Sequence, residues 1–477
     1  MKRDDPETDD RRFVAASGMA QPEQQSTAIV QVQLKSSVRS VGALPASEPL
    51  FGFAPPAGLD LSGLRRIANN HGLVRAEHSF RQHHALSSEM GGDAPAGITA
   101  DTDSHKRGFV DLHFPPGADV HKIAAELREL PEVERAVPMP RPIPPNTLPT
   151  DPLIGASDQL TTDPNTGLEE EWYIFRCQAD KAWQNFSGKN VVIADIDFGF
   201  LLTHQDLAPN LDLNFAHNSY DGSTNVTAGS DTDHGTAVLG LAGAASNAEG
   251  MAGFAWGATL WPIQANAGTR TQLPGDAFAN AIDWVTHADS GGKRVVINLE
   301  VQTASLGNYE TVPAVNTAIQ DAILKGIVVC VAAGNGNRDA GVGDDGLPIP
   351  ATGSILVGAT AYDDAVNQRA SFSNWGSRVV VAAPGDADHD VTCSTSANDA
   401  YRNQFGGTSG ATPKVSGTVA LMLEANPTLT HDQIKQILTA TGTAIPVTDG
   451  RPIGVFLNTS AAVQSAAGLR NRAASTT

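Results

Sequence analysis

The sequence has few cysteines and few basic residues for its length. Its 477 residues include 3 cysteines, and 32 Lys and Arg stand against 52 Asp and Glu, which gives a formal net charge of -20. Three thiols without a C-x-x-C spacing indicate neither a disulfide framework nor a cysteine-ligated metal site. Because nucleic-acid binding needs a basic surface, a chain this acidic is predicted to have no nucleic-acid partner.

Long apolar runs are missing as well. No stretch of about 18 apolar residues occurs, so we expect no transmembrane helix and no membrane partner. The first 25 residues are charged and polar, without the apolar segment that marks a secretory signal. We predict a disordered tail over residues 1–25, and localisation stays open between the cytoplasm and a route of export without a signal peptide.

Three short blocks carry the residues of a nucleophilic site. VVIADIDFG contains Asp197, DTDHGTAVLG contains His234, and GGTSGATP contains Ser409. A serine hydroxyl needs a base within hydrogen-bond reach, and the base needs a carboxylate that fixes its tautomer. The run VVIADID is typical of a buried parallel strand, which would present Asp197 at the sheet edge where sites form. The blocks therefore predict acyl-transfer chemistry.

A fourth block supplies an amide at a matching place. GIVVCVAAGNGN is a second apolar strand that leads into Asn335. An amide donor can stabilise the oxyanion of a tetrahedral intermediate. The flanking glycines are also compatible with Asn335 as a simple turn former. Its place after a buried strand favours the oxyanion role.

These blocks, with SFSNWG, VAAPG and LTHDQIKQIL, resemble the subtilases, the subtilisin-like serine peptidases, over residues 166–465. The resemblance implies an α/β fold whose mostly parallel sheet is flanked by helices. It also implies that Ser409 is the nucleophile, His234 the base, Asp197 its orienting acid and Asn335 an oxyanion donor. The residues that it assigns to the substrate cleft are Glu300, Val301, Gln302, Ala333 and Gly334.

Two departures from the family pattern concern acidic and aromatic residues. Phe198 follows Asp197 where the family usually has a hydroxyl residue, and Asp195 falls on the same strand face, close enough to disturb the ionisation of Asp197. Glu300 replaces a serine of the strand that lines the specificity pocket. We expect Glu300 either to select a basic residue before the scissile bond or to face solvent near the cleft.

The segment ASNAEGMAG resembles the calcium-binding loop of the family, with Asp206 and Asn247 as its side-chain ligands. Calcium takes six to eight oxygen ligands, and two side chains leave a filled site and a metal-free loop both open. No cofactor is expected to be required for activity, and a structural calcium ion is possible.

Residues 26–140 show the order β-α-β-β-α-β, which predicts a ferredoxin-like α+β domain. Its position resembles that of the inhibitory propeptide of the family, and an ordinary accessory domain is the alternative. A Pro-rich linker over residues 141–165 is the candidate processing region, and residues 466–477 are predicted to be a C-terminal tail.

The leading functional hypothesis is a serine endopeptidase that cuts protein or peptide substrates and is made as a zymogen, with its own N-terminal domain as inhibitor. Two alternatives stay open at this point. One is a catalytically silent peptide-binding homologue, and the other is a transpeptidase in which an amine resolves the acyl-enzyme.

Overall fold

The computed structural model of the chain describes residues 28–35, 61–78, 109–115, 118–139, 148–266, 277–362, 368–386 and 389–473. It divides into two compact units, residues 1–142 with 475–477 and residues 143–474. The tail expected over residues 1–25 lies outside the described residues. Among the described helices, none has the length and apolar character needed to cross a membrane.

The first unit is a four-stranded antiparallel sheet covered by two helices. In chain order its elements are β1 (Ala28–Leu34), α1 (Ser62–Asn70), β2 (Arg75–His78), β3 (Phe109–Phe114), α2 (Val120–Arg128) and β4 (Val133–Pro138). The sheet order is β2-β3-β1-β4, with antiparallel pairs throughout. Alternate residues of β1 and β3 are buried against the apolar stripes of both helices. The predicted ferredoxin-like arrangement is confirmed in the described residues.

The second unit is built on a large, mostly parallel sheet of order β15-β16-β12-β10-β9-β8-β5-β7-β6, with β11 paired to β10. Its long strands are rich in Val, Ile and Ala and are buried on both faces, as expected for parallel strands between helices. The strands are β5 (Val191–Asp197), β6 (His217–Asn218), β7 (Thr259–Gln264), β8 (Arg294–Leu299), β9 (Val328–Ala332), β10 (Ile355–Ala361), β11 (Gln368–Arg369), β12 (Val379–Pro384), β15 (Thr443–Ala444) and β16 (Val455–Phe456). A separate hairpin pairs β13 (Asp390–Cys393) with β14 (Tyr401–Phe405). The predicted α/β class is confirmed.

The helices of the second unit are α3 (Trp172–Arg176), α4 (Ala179–Ala182), α5 (Thr232–Gly243), α6 (Ala277–His287), α7 (Pro313–Leu324), α8 (Gly407–Ala425), α9 (His431–Thr441) and α10 (Thr459–Ala473). Helix α8 is buried along nearly its whole length and packs against β5, β8, β9 and β10 as well as α5. This central position fixes its first turn at the C-terminal edge of the sheet, where Asp197 also ends β5.

The catalytic unit is longer at both ends than the predicted residues 166–465. Within the segment expected to be a linker, Asp151 accepts the backbone N–H of Asn247, and the Leu153 N–H donates to the Gly250 carbonyl. At the other end, α10 continues through Ala473, and Ala466 is fully buried. Leu153 and Ile154 are buried in the core of this unit, but they stand among proline and polar residues without the regular spacing that reveals packing in a sequence.

Candidate active site

Asp197 ends strand β5, which is buried throughout and pairs in parallel with β7 and β8. The chain turns at Gly199, where φ is +129° and a Cβ would lie 2.9 Å from the Thr232 side chain and 3.0 Å from the Gly229 backbone. Only glycine takes that conformation without strain. The turn therefore brings the end of β5 directly against the start of α5.

His234 lies in the first turn of α5, where the Asp231 carboxylate accepts its backbone N–H and caps the helix. Its ring Nδ1 is 2.7 Å from Oδ2 and 2.9 Å from Oδ1 of Asp197. An Nδ1–H that donates to a carboxylate leaves Nε2 as the acceptor. This tautomer is the one that a general base requires.

Two aromatic side chains flank the imidazole. The ring centroids of Phe198 and Phe405 are 5.8 and 5.6 Å from that of His234, both in edge contacts. Burial acts to lower the pKa of His234, but the charge and hydrogen bond of Asp197 raise it, and the net direction is upward. Phe198 also donates its backbone N–H to Asp197 at 2.6 Å, which supplies a donor where the sequence lacks a hydroxyl.

Ser409 occupies the first turn of α8, which begins at Gly407 with φ of +73°. The residue is 8% exposed, so its hydroxyl is at the boundary between the core and solvent. Among the residues that the structure describes, Ser409 and His234 share no hydrogen bond. Catalytic hydrogen bonds commonly form or tighten only when substrate is bound, so the absence of this bond is compatible with the role expected of Ser409.

The Asn335 side chain is oriented by the residue that precedes Ser409. Its Oδ1 accepts the backbone N–H of Thr408 at 2.9 Å and the Thr408 hydroxyl at 3.0 Å. The amide orientation follows from this bond, because an N–H can donate only to the oxygen. Nδ2 is then the side-chain donor, and it lies next to the first turn of α8, where a Cβ on Gly407 would be 3.0 Å from it.

Three of the residues expected to bind substrate adjoin Asn335, two of them in the chain and one through a hydrogen bond. Gln302 Oε1 accepts the Asn335 backbone N–H at 3.0 Å. Gly334 has φ of +98° and donates its N–H to the Thr408 hydroxyl at 3.2 Å. Ala333 is fully buried, and its carbonyl accepts a hydrogen bond from Asn374 at 2.8 Å. The segment therefore fixes the position of the amide donor.

The other two cleft residues point into the protein. Val301 is 2% exposed and belongs to the hydrophobic core, and Glu300 is 4% exposed. One oxygen of Glu300 lies within 4.8 Å of oxygens of Asp195 and Asp197. The structure thus corrects both expectations for Glu300, since its carboxyl group neither faces solvent nor lines a pocket for a basic residue. The parallel register of β5 and β8 pairs Ile196 with Leu299, so Glu300, the next residue, lies level with Asp197.

The loop resembling a calcium site is closed by hydrogen bonds. Asp206 accepts from the Met251 N–H at 3.0 Å, the Tyr401 hydroxyl at 2.7 Å and the Asn247 amide at 3.2 Å. Asp151 accepts the N–H groups of Asn247 and Ala248. Calcium needs oxygen ligands, whereas donors point at these carboxylates. The residues in this arrangement do not fit a calcium ion.

A buried ion pair behind the nucleophile was not anticipated from the sequence. Lys414 Nζ lies 2.6 Å from Asp390 Oδ2, both side chains are fully buried, and Nζ also donates to the Pro384 carbonyl at 2.8 Å. A Cβ on Gly410 would lie 2.6 Å from the same Asp390 oxygen. The ion pair therefore explains the glycine that follows Ser409. Lys414, a charged residue within an otherwise apolar helix, was the feature of the sequence that could have indicated a buried ion pair.

Comparison with known proteins places this geometry in a family. Residues 188–464 match the Subtilase family. Subtilisin E of Bacillus subtilis is 33% identical over 264 residues, 54% of this chain, and the chain spans only 62% of its length. A subtilisin of Bacillus pumilus is 33% identical over 264 residues, 54% of this chain and 86% of its own length. Among solved structures, a protease of Pseudoalteromonas arctica aligns with a TM-score of 0.52 and 26% identity, over 67% of this chain and all of its own.

Proposed function

This chain belongs to the subtilase family, and from that premise we propose that it is a serine endopeptidase whose triad is Asp197, His234 and Ser409. The observation that carries the proposal is the contact of His234 Nδ1 with both carboxylate oxygens of Asp197, at 2.7 and 2.9 Å. That contact directs Nε2 away from β5 and prepares it to accept a proton.

In the proposed reaction the Ser409 Oγ attacks the scissile carbonyl carbon while His234 Nε2 takes the hydroxyl proton. The carbonyl oxygen becomes an oxyanion, which accepts hydrogen bonds from Asn335 Nδ2 and the Ser409 backbone N–H. His234 then gives its proton to the leaving amine as the oxyanion re-forms the carbonyl and the C–N bond breaks, which leaves the acyl-enzyme on Ser409. Water repeats the sequence on the acyl-enzyme, releases the acid and restores Ser409.

The proposed substrates are peptides and proteins, without selection of a basic residue by Glu300. Its carboxyl group is buried against Asp195 and Asp197, so it does not present a negative charge to the cleft. A cleavage profile on a peptide library, compared between the unaltered chain and Glu300→Gln, tests this point. A strong basic preference that disappears in the variant would contradict it.

The N-terminal unit is proposed to act as the inhibitor of a zymogen. The support is its split β-α-β arrangement, which directly precedes the catalytic unit in the chain. Processing is proposed to fall upstream of Asp151, because Asp151 and Leu153 make hydrogen bonds within the catalytic unit. Mass spectrometry of the incubated full chain would locate the cut, and Ser409→Ala is expected to stop it.

Peptide turnover is the experiment that tests the proposed function. The full chain is incubated with a mixed peptide substrate until any processing is complete, and new amino termini are measured. Ser409→Ala is expected to abolish release, whereas Ser290→Ala, in the turn before β8 and away from the triad, keeps the catalytic hydroxyl. Turnover that persists in Ser409→Ala would reject the assignment.

The loop around Asp206 is proposed to keep its shape without calcium. Six hydrogen bonds to Asp206 and Asp151 take up the carboxylate oxygens that an ion would need. The other groups gathered around the Asp206 carboxylate are an imidazole nitrogen of His204 and the thiol of Cys393. Neither is a calcium ligand.

A further inference from the structure

Three carboxyl groups meet below the triad. Asp195 and Asp197 come from β5, and Glu300 follows the end of β8. One oxygen of each lies within 4.8 Å of the others, and the three residues are 0%, 2% and 4% exposed. The parallel register sets Asp195 opposite Asn298, which brings Glu300 level with Asp197. The three acids are thus shielded together from bulk solvent.

His234 is the group beside these acids that can carry a positive charge, and it can compensate only one of them. The titratable groups that face the cluster are His234 from α5 and Cys330 from β9, besides the acids themselves. Burial raises the pKa of Cys330 to about 12, so its thiol is neutral. Within the described residues, no lysine or arginine makes an ion pair with the three acids. Isolated ionised carboxylates in such a place are strongly disfavoured, and two of the three must therefore carry protons.

Hydrogen bonding identifies Asp197 as the ionised member. It accepts from His234 Nδ1 and from the Phe198 backbone N–H, which are two donors directed at a carboxylate. Asp195 receives one hydrogen bond, from the Asn298 amide to Oδ1 at 2.9 Å, and the Asn298 oxygen in turn accepts from the Ser416 hydroxyl. Asp197 is thus the acid whose charge is stabilised.

Asp195 and Glu300 have only each other as remaining partners. Asp195 Oδ2 and both Glu300 oxygens are buried and receive no hydrogen bond from any N–H or hydroxyl group in the described part of the chain. A carboxylic O–H on either residue supplies the missing donor. Burial first, and then the nearby acids, raise the pKa of both groups well above the ordinary range.

We infer that Asp195 and Glu300 are protonated positioning residues, which hydrogen-bond to each other and keep Asp197 as the single negative charge facing His234. The kinetic consequence rests on the proposed peptidase function, whereas the protonation itself does not. With two neutral acids beneath it, Asp197 directs its charge to the imidazole. Ionisation of either neighbour would add a second negative charge close to His234 and raise the pKa of the base further.

The kinetic test compares Glu300→Gln with Glu300→Ala in the full chain after processing. Gln resembles a protonated Glu, so the acid limb of the kcat/KM profile should stay in place. Ala admits water and lets Asp195 ionise, so kcat should fall roughly 10- to 100-fold and the acid limb should move to higher pH, with KM little changed. An acid limb that moves to lower pH in Glu300→Gln would mean that Glu300 is ionised and would overturn the inference.

Infrared difference spectroscopy gives the readout that needs no turnover. In the Ser409→Ala chain at pH 7, subtraction of the Glu300→Gln spectrum should reveal the carbonyl band of a protonated carboxylic acid. Asp195→Asn should remove a second such band. Carboxylate bands alone would overturn the inference and leave the peptidase assignment untouched. Acid bands, together with no peptide turnover in the chain that keeps Ser409, would support the inference and reject the peptidase assignment.

Discussion

The two sides of helix α8 neutralise buried acids in different ways. On one side Asp390 is paired with Lys414, and on the other no lysine or arginine of the described ranges pairs with Asp195 or Glu300. Burial dominates even for the ion pair, because it raises the pKa of Asp390 to about 6 in spite of Lys414 and lowers the pKa of Lys414. A buried carboxylate can therefore be compensated in two ways, by a lysine that pairs with it or by a proton that neutralises it. The ion pair keeps two charged groups behind Ser409. Protonation of Asp195 and Glu300 leaves Asp197 as the single negative charge next to His234.

Breaking the ion pair should have the largest effect on stability. Lys414→Met leaves Asp390 buried without its cation, so the free energy of unfolding should fall by about 3 to 5 kcal/mol. Urea unfolding in the Ser409→Ala background measures this without self-digestion. Lys181→Met removes an exposed lysine and is the matched control. An equal, small effect of both changes would contradict the contrast between the two sides.

The largest effect on catalysis after loss of the triad is expected at Asn335, which is hydrogen-bonded to the first turn of the same helix. Asn335→Ala should lower kcat about 10²- to 10³-fold, equivalent to about 2.7 to 4 kcal/mol of barrier, because a preorganised donor is lost. KM should change little. Initial rates on one peptide substrate check this, with Asn337→Ala as a nearby asparagine control. A change confined to KM would assign Asn335 to substrate binding instead.

Removing an acid from the side without a cation should cost less than breaking the ion pair. Asp195→Leu deletes a neutral carboxyl group and leaves the Asn298 amide without its acceptor, which costs about 1 to 3 kcal/mol. The measurement is urea unfolding in the Ser409→Ala background. If Asp195→Leu were as damaging as Lys414→Met, the acids below the triad would have to be charged and compensated.

Much of this arrangement could be predicted from the sequence, because strands and catalytic blocks are local patterns. VVIADID identified β5 and the position of Asp197, and the alternation in residues 30–34 and 110–114 identified two strands of the first unit. The burial of Glu300 against Asp195 and Asp197 could not be predicted, since it depends on how β8 pairs with β5. The partners of Asp206 could not be predicted either, because they are far away along the chain: Met251 by 45 residues and Tyr401 by 195.

The pH dependence of turnover should reflect the raised pKa of His234. The base must be neutral, so the acid limb of kcat/KM should have its midpoint above 6.5, the ordinary value for the group. The same shift stabilises the folded chain below that value, and this contribution is lost as the pH rises through the folded pKa. Titration of the His234 ring by NMR in Ser409→Ala checks the sign. A midpoint below 6.5 would mean that burial outweighs Asp197.

Removal of calcium should have the smallest effect. Because N–H and hydroxyl donors already occupy the carboxylates of Asp206 and Asp151, EDTA should shift Tm by less than about 2 °C, equivalent to less than about 1 kcal/mol. Asp206→Ala should lower Tm whether or not calcium is present. A large loss of Tm in EDTA that added calcium restores would show that the loop rearranges around an ion.

Labelling by a fluorophosphonate tests the account most directly, since this reagent reacts with an activated serine hydroxyl. After incubation long enough for processing, peptide mapping by mass spectrometry should find one adduct, on Ser409. The adduct should be lost in Ser409→Ala and strongly reduced in His234→Ala, whereas Lys181→Met should label like the unaltered chain. No adduct on Ser409, or labelling that is independent of His234, would contradict the proposed triad.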